Sequence, residues 1–178
     1  TSWKRERHFF DKETKNITDR LNRDLGDYEI GITGITKDEN KLIVRTYSDR
    51  SLGAYYIYDK ETDKLNKIAD VSPWIDESEM ATVKPIKYKS RDGLKIHGYL
   101  TLPKGVEHKN LPVVINPHGG PWARDGWGFN PETQFLANRG YAVLQMNFRG
   151  STGYGKELWT CSFKQWGKTM QDDITDGV

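Results

Sequence analysis

The stretch Val113-Val-Ile-Asn-Pro-His-Gly-Gly-Pro121 passes directly from an apolar run into a pair of glycines. Residues 112–115 are rich in β-branched side chains and show no polar alternation, which is typical of a strand buried on both faces of a mainly parallel sheet. Gly119 and Gly120 have no Cβ atom, so a ligand can come close to their backbone N–H groups. The sequence therefore predicts a buried strand that ends in a loop of accessible backbone amides.

The His-Gly-Gly sequence in this loop has a known chemical use. A strand that runs into His-Gly-Gly is one way in which α/β-hydrolases supply an N–H group to an oxyanion hole. Loss of one such donor typically costs about 2.7–4 kcal/mol of transition-state stabilisation. The alternative is a tight turn between a strand and a helix, because glycine and proline occur in loops of many kinds. On these residues alone both interpretations stay open.

The residues after the glycine pair continue the pattern of an α/β fold. Asn130 can cap a helix with Pro131 at its first position and Gly140 just beyond its end, and residues 141–146 form a second apolar run. A strand, loop, helix and strand in this order make a βαβ unit, whose ligands lie at the carboxyl ends of the strands. The glycine pair and residues 147–150 both follow such ends, so the predicted site and the predicted fold agree.

A nucleotide-binding loop is the competing hypothesis. Residues 150–156, Gly-Ser-Thr-Gly-Tyr-Gly-Lys, have the spacing G-x-x-x-x-G-K between a predicted strand and a predicted helix. However, Glu157 stands where that motif requires a serine or threonine hydroxyl for Mg²⁺, and its carboxylate would repel phosphates. The segment is better explained as a glycine-rich connection in which Arg149 and Tyr154 support neighbouring loops.

A resemblance to a known family rests on three stretches: Asn116-Pro-His-Gly-Gly-Pro-Trp122, Asn147-Phe-Arg-Gly-Ser-Thr-Gly-Tyr-Gly155 and Trp166-Gly-Lys-Thr-Met-Gln-Asp-Asp-Ile-Thr-Asp-Gly177. They resemble the catalytic domain of the prolyl oligopeptidase family of serine peptidases, close to its acylaminoacyl-peptidase and dipeptidyl-aminopeptidase branch. Residues 48–58 and 90–103 resemble the same branch. The resemblance implies a β-propeller that covers an α/β-hydrolase domain and admits short peptides.

The resemblance also implies roles for residues of the glycine loop. Gly120 would give an N–H group to the oxyanion hole, beside Gly119 and His118. Some branches of the family carry a tyrosine at position 118 that donates its hydroxyl, so the backbone amides are the donors expected here. Pro121 and Trp122 would contact substrate, although aromatic side chains in such a loop are as often simple cover for the core.

No catalytic residue can be assigned within the chain. The family's Ser, Asp and His triad is expected beyond Val178, and no Gly-x-Ser-x-Gly sequence occurs before it. The adjacent Asp172 and Asp173 would diverge on a helix, which favours capping or salt-bridge roles. No metal or other cofactor is expected, because the histidines lack the spacing of zinc ligands. They are His8, His97, His108 and His118.

Composition limits the partners of the chain. The 178 residues contain 27 basic and 25 acidic side chains, a mixed balance that argues against nucleic acid. The single cysteine, Cys161, excludes an internal disulfide, and no apolar run approaches the roughly 20 residues that cross a bilayer. The chain is expected to be soluble, cytoplasmic or periplasmic, without a membrane partner. Its start at Thr1-Ser2, without methionine, predicts either a processed chain or an artificially chosen start.

The first part of the chain has a β pattern. Residues 30–35, 41–47, 54–59 and 65–68 are short β-prone runs separated by turn-like breaks. Such a meander suits one propeller blade, whose exposed edges would invite pairing with another chain. Residues 1–27 are polar, and Trp3, Phe9 and Phe10 are expected to pack in a preceding blade.

These observations predict an α/β chain with three parts. Residues 1–72 would be the last propeller blade, residues 73–84 a linker, and residues 85–178 the N-terminal part of an α/β-hydrolase domain that opens with a hairpin at Asp92-Gly93. The expected function is a section of a serine peptidase that hydrolyses short peptides by acyl transfer, inactive alone. Part of an esterase or acyl hydrolase is the alternative, and a non-catalytic interaction module is the third.

Overall fold

The computed structural model describes residues 3–178, which divide into two compact units. One unit comprises residues 6–79, and the other comprises residues 80–178 together with residues 3–5. Each unit has its own cluster of buried apolar side chains. The prediction for the start at Thr1-Ser2 concerns residues outside those described.

The first unit is a helix packed on a four-stranded antiparallel meander. Its strands lie side by side in chain order, and a short 3₁₀ turn follows them. The four β-prone runs of the sequence are therefore confirmed as strands. The elements are α1 (Lys12–Leu25), β1 (Glu29–Ile35), β2 (Lys41–Tyr47), β3 (Ala54–Asp59), β4 (Lys64–Asp70) and the turn at Glu77–Glu79.

Helix α1 was not predicted from the sequence. Residues 1–27 were described only as polar, and their aromatic side chains were expected to be packed in a preceding blade. In the structure Phe10 is fully exposed. The helix begins where the Asp11 carboxylate accepts a hydrogen bond from the Thr14 N–H at 2.7 Å. Leu21 is only 1% exposed and belongs to the same core as the strands, with Ile17 packed beside it. The four-residue spacing of these apolar side chains is the signal that the sequence prediction missed.

The second unit contains a mixed sheet with the order β5-β6-β8-β7. The pairs β5–β6 and β6–β8 are antiparallel, whereas β7 and β8 are parallel and are joined through α2. This arrangement confirms the predicted hairpin and the predicted βαβ unit. The elements are β5 (Val83–Lys89), β6 (Lys95–Thr101), β7 (Val113–Ile115), α2 (Pro131–Asn138), β8 (Ala142–Asn147), α3 (Lys156–Thr160) and α4 (Thr169–Thr175).

Two local sequence signals act as predicted in this unit. Gly93 has a φ of +86° and its N–H donates to the Ser90 carbonyl at 2.7 Å, which closes the β5–β6 turn. The Asn130 side chain accepts a hydrogen bond from the Thr133 N–H at 3.0 Å and caps α2, with Pro131 in the first turn. Both signals are local, so they identify the ends of their elements without knowledge of the fold.

The prediction that residues 112–115 are buried on both faces was wrong. Strand β7 has only three residues, and Val113 is 52% exposed. Within residues 3–178 this strand pairs only with β8 and lies at the edge of the sheet. Strand β8, which has a neighbour on each side, is buried along its whole length. The β-branched run therefore predicted the strand correctly but not its place in the sheet.

Candidate functional site

The loop after β7 carries the two glycines at the carboxyl end of the parallel strand pair. Its start is fixed by the Asn116 N–H, which donates to the Leu144 carbonyl at 2.9 Å. Gly120 has a φ of +134°, and a Cβ there would lie 2.9 Å from the Trp122 nitrogen. Both glycines are exposed, and among residues 3–178 their N–H groups donate to no protein acceptor. Two backbone donors are thus open to an external acceptor.

The His118 imidazole lies inside this site with both ring nitrogens engaged. Nδ1 is 2.8 Å from the Gly119 carbonyl oxygen, and Nε2 is 2.8 Å from the Ser151 hydroxyl. The ring also stacks on Phe148, with ring centroids 4.6 Å apart and an angle of 14° between the planes. The structure therefore brings together the three predicted oxyanion residues, but it directs the His118 ring toward protein partners.

The far part of the glycine loop is attached to the end of β8 by Asn147, which is fully buried. Its side-chain oxygen accepts from the Asp125 N–H at 2.8 Å, and its side-chain nitrogen donates to the Asp125 carbonyl at 3.1 Å and to the Tyr154 hydroxyl at 2.8 Å. Burial raises the pKa of the Asp125 carboxyl, which accepts from Gln145 at 3.2 Å. The sequence pattern placed residues 147–150 at the ligand end of the βαβ unit, but it predicted neither a role for Asp125 nor the contact between Asp125 and Asn147.

Arg149 fixes the loop after β8 to α4. Its side chain is 7% exposed and makes charge-assisted hydrogen bonds to Asp173, through Nε and a terminal nitrogen, both at 2.7 Å. A third bond joins it to Asp92 at 2.7 Å, and hydrogen bonding to Arg149 lowers the pKa of that carboxyl. Asp172 turns away and pairs with Arg91 at 3.1 Å. The predicted divergence of the two aspartates and the supporting role of Arg149 are both confirmed.

The β5–β6 turn is tied to the end of α4 by Asp176, and this contact predicts a pH dependence. Asp176 accepts hydrogen bonds from the Arg91 side chain and backbone and from Ser90, and these bonds, those to Arg91 first, lower its pKa to about 2. Since the folded state favours the carboxylate, the stabilisation is present above the ordinary value of 3.8 and is lost as the pH falls toward about 2. Carbon-13 NMR of the Asp176 carboxyl measures this titration directly.

The control for this titration is Arg91→Gln, which removes the charge and should raise the Asp176 pKa toward its ordinary value. The thermal midpoint of the variant should then depend less on pH between about 4 and 2 than that of the unsubstituted chain. An Asp176 carboxyl that titrates near 3.8 in the unsubstituted chain would contradict the prediction.

An aromatic surface lies next to the glycine loop. Trp122 is 55% exposed and meets Trp159 and Phe163 edge-to-face, with centroid distances of 6.1 and 6.0 Å. An apolar groove of about 400 Å³ is lined by Trp122, Ser162, Phe163, Lys164 and Trp166. Trp127 does not line this groove; its indole N–H donates to the Val83 carbonyl at 3.0 Å.

The described part of the chain offers neither a cluster of metal-ligating side chains nor a membrane-spanning helix. Residues 3–178 contain no group of three or more His, Cys, Asp or Glu side chains that could hold a metal ion. No helix among them is both long enough and apolar enough to span a bilayer. The G-x-x-x-x-G-K stretch forms the connection between β8 and α3, where the Tyr154 hydroxyl is bonded to Asn147.

Comparison with known proteins gives consistent matches in sequence and in structure. Residues 127–178 match the model of the prolyl oligopeptidase family. The chain is 36% identical over 161 residues to dipeptidyl aminopeptidase BIII of Pseudoxanthomonas mexicana, covering 86% of this chain and 23% of that protein. It is 33% identical over 144 residues to dipeptidyl peptidase family member 6 of Caenorhabditis elegans, covering 69% of this chain and 20% of that protein.

Among solved structures, the acylaminoacyl peptidase of Pyrococcus horikoshii matches 82% of this chain and 23% of its own, with a TM-score of 0.64 and 27% identity. The chain thus spans about a quarter of the length of the proteins it matches. The match to the family model includes the segment that forms β8, Arg149 and α4. By sequence and by structure, the chain belongs to the prolyl oligopeptidase family.

Proposed function

We propose that this chain is part of a longer serine peptidase, to which it contributes the oxyanion-hole loop. The observation that carries the proposal is the pair of exposed, unbonded N–H groups at Gly119 and Gly120, at the carboxyl end of β7. Its relatives are named as a dipeptidyl aminopeptidase, a dipeptidyl peptidase family member and an acylaminoacyl peptidase, which supports a short peptide as the substrate.

The proposed reaction is acyl transfer. A serine from another part of the longer protein, activated by a histidine and an aspartate, attacks the carbonyl carbon of a peptide bond. The carbonyl oxygen becomes negative and accepts a hydrogen bond from the Gly120 N–H, with the Gly119 N–H as a second candidate donor. Because these amides are already oriented before the reaction, they stabilise the transition state without reorganising. His118 acts by holding the loop, since both of its ring nitrogens are bonded within the protein.

Pro121 and Trp122 are proposed to contact the substrate beside the scissile bond. They are the two residues after Gly120, and Trp122 forms one wall of the apolar groove. An indole offers a large apolar face with little loss of conformational entropy, which suits binding of an apolar peptide side chain.

The two units support the proposed domain organisation. The meander of residues 6–79 supports a propeller blade, proposed to end at residue 72, and the mixed sheet supports the N-terminal part of an α/β-hydrolase domain from residue 85. The boundary between the units, at residues 79–80, falls within the proposed linker of residues 73–84. The free edges of the two sheets would pair with further strands of the longer protein, or with a second copy when the chain is alone.

We expect the chain alone to hydrolyse neither chromogenic dipeptidyl substrates nor chromogenic esters, and to resist labelling by a fluorophosphonate probe. Ser151 is hydrogen-bonded to His118, but it is fully buried and inaccessible to substrate. The longer protein is expected to contain a Gly-x-Ser-x-Gly sequence outside residues 1–178. Labelling that persists in the chain but disappears in Ser151→Ala would show a nucleophile within it and contradict the proposal.

An esterase would use the same loop, because ester and amide hydrolysis pass through similar tetrahedral intermediates. The relatives' names favour the peptidase. The ratio of peptide to ester turnover by the longer protein separates the two functions.

A further inference from the structure

His118 joins two segments that are far apart in sequence. Its Nε2 lies 2.8 Å from the hydroxyl of Ser151, 33 residues away. Ser151 is fully buried, and within residues 3–178 its hydroxyl has no other hydrogen-bond partner. A buried hydroxyl that is bonded to one imidazole nitrogen influences which of the two ring nitrogens carries the proton.

Ser151 lies on a firmly held segment. The Ser151 N–H donates to the Phe148 carbonyl at 3.0 Å, and the N–H of the preceding Gly150 donates to the Leu158 carbonyl at 2.8 Å. Arg149, two residues before Ser151, is bonded to the fully buried Asp173. The hydroxyl is therefore held in position by the fold, whereas Gly119 and Gly120 are exposed and carry unbonded N–H groups.

The hydrogen-bond partners define the tautomer of His118. A carbonyl oxygen can only accept, so the contact between Nδ1 and the Gly119 carbonyl places the proton on Nδ1 of the neutral ring. Nε2 is then an acceptor, and the Ser151 hydroxyl is its donor. Free neutral imidazole side chains in water favour the opposite tautomer, with the proton on Nε2. The contact with Ser151 offsets that preference.

The Gly119 carbonyl belongs to the same peptide group as the Gly120 N–H. A peptide group is planar, and in its trans form the N–H points away from the carbonyl. The only cis bond among the described residues is that between Gly120 and Pro121, so the Gly119–Gly120 group is trans. Any group that holds the Gly119 carbonyl therefore also sets the direction of the Gly120 N–H.

We infer that Ser151 is a positioning residue for the glycine loop: its hydroxyl holds His118 as the Nδ1–H tautomer, His118 holds the Gly119 carbonyl, and the Gly120 N–H is thereby aimed. Its importance for catalysis rests on the proposed oxyanion role of Gly120. The chain of contacts itself is independent of that role, because every group in it belongs to residues 118–151 of this chain.

Nitrogen-15 NMR of the chain tests the inference. The unsubstituted chain should show His118 protonated on Nδ1, and Ser151→Ala should shift the ring toward the Nε2–H tautomer. The backbone order parameter of Gly120 should fall from near the rigid value of about 0.85 to below about 0.6. Thr152→Ala is the matched control, since its exposed hydroxyl makes no side-chain hydrogen bond among the described residues. Neither signal should change in that variant.

Several outcomes would overturn the inference. If the neutral His118 ring of the unsubstituted chain carries its proton on Nε2, the inference is wrong and no variant is needed to show it. The inference is also wrong if a folded Ser151→Ala chain keeps the His118 tautomer or the Gly120 order parameter of the unsubstituted chain. If that variant fails to fold, Ser151→Cys, which keeps a weaker donor, should shift both signals partway, and unchanged signals there would also refute it. None of these measurements depends on catalysis, so their results are independent of the proposed oxyanion function of Gly120.

Discussion

Replacing Gly120 by alanine in the proposed longer peptidase is expected to lower kcat by about 10²–10³-fold, the loss typical of one oxyanion donor. A Cβ at this position would lie 2.9 Å from the Trp122 nitrogen and 3.2 Å from the Ala123 nitrogen, and the φ of +134° disfavours any side chain. The peptide must therefore turn, which moves the Gly120 N–H away from the reacting oxygen. Steady-state kinetics with a chromogenic dipeptidyl substrate measures the loss.

The matched control is Gly126→Ala in the same loop. A Cβ at Gly126 would meet nothing within 4 Å, so kcat should stay near that of the unsubstituted enzyme. The effect of Gly120→Ala should also appear in kcat more than in KM, because the donor acts mainly on charge that develops in the transition state. A Gly120→Ala enzyme whose kcat stays within about threefold of the unsubstituted value would remove Gly120 from the proposed oxyanion hole.

Local sequence signals predicted most elements of the fold. The Asn130-Pro131 cap, the Asp92-Gly93 turn and the β-prone runs of the meander each depend on residues close together in the chain. Position within a sheet depends instead on distant neighbours, and this is why residues 112–115 were wrongly expected to be buried on both faces. Helix α1 was missed for another reason: its apolar side chains are few, and the polar residues between them conceal their spacing.

The candidate site also has a part that the sequence predicted and a part that it did not. His118, Gly119 and Gly120 are contiguous, so the sequence could place them in one loop. The contact of His118 with Ser151 and that of Asp125 with Asn147 join residues 33 and 22 positions apart. The only sequence signal for these pairs was that both loops follow the carboxyl ends of strands in one βαβ unit. That rule brings the loops together but does not identify which side chains meet.

Replacing Asp173 by alanine is expected to lower the free energy of unfolding of the second unit by about 3–5 kcal/mol, because removal of one partner leaves a buried charge without compensation. Asp173 is fully buried and accepts three hydrogen bonds from Arg149, two from the guanidinium and one from the backbone N–H. The remaining partner, Asp92, is 43% exposed and cannot replace these bonds. Urea denaturation followed by tryptophan fluorescence measures the change, since Trp122 and Trp159 report on this unit.

The neighbouring Asp172 provides a matched control. Its side chain is 36% exposed and pairs with Arg91, itself 57% exposed, so Asp172→Ala should lower the free energy of unfolding by at most about 1 kcal/mol. Both variants remove one carboxylate from the same helix. A difference between their losses of unfolding free energy therefore reports the effect of burial and not that of charge. Equal losses in the two variants would show that the Arg149–Asp173 pair does not hold the loop after β8. A large loss for Asp173→Ala alone would identify this buried pair as the anchor of the segment that carries Phe148 and Ser151 to His118.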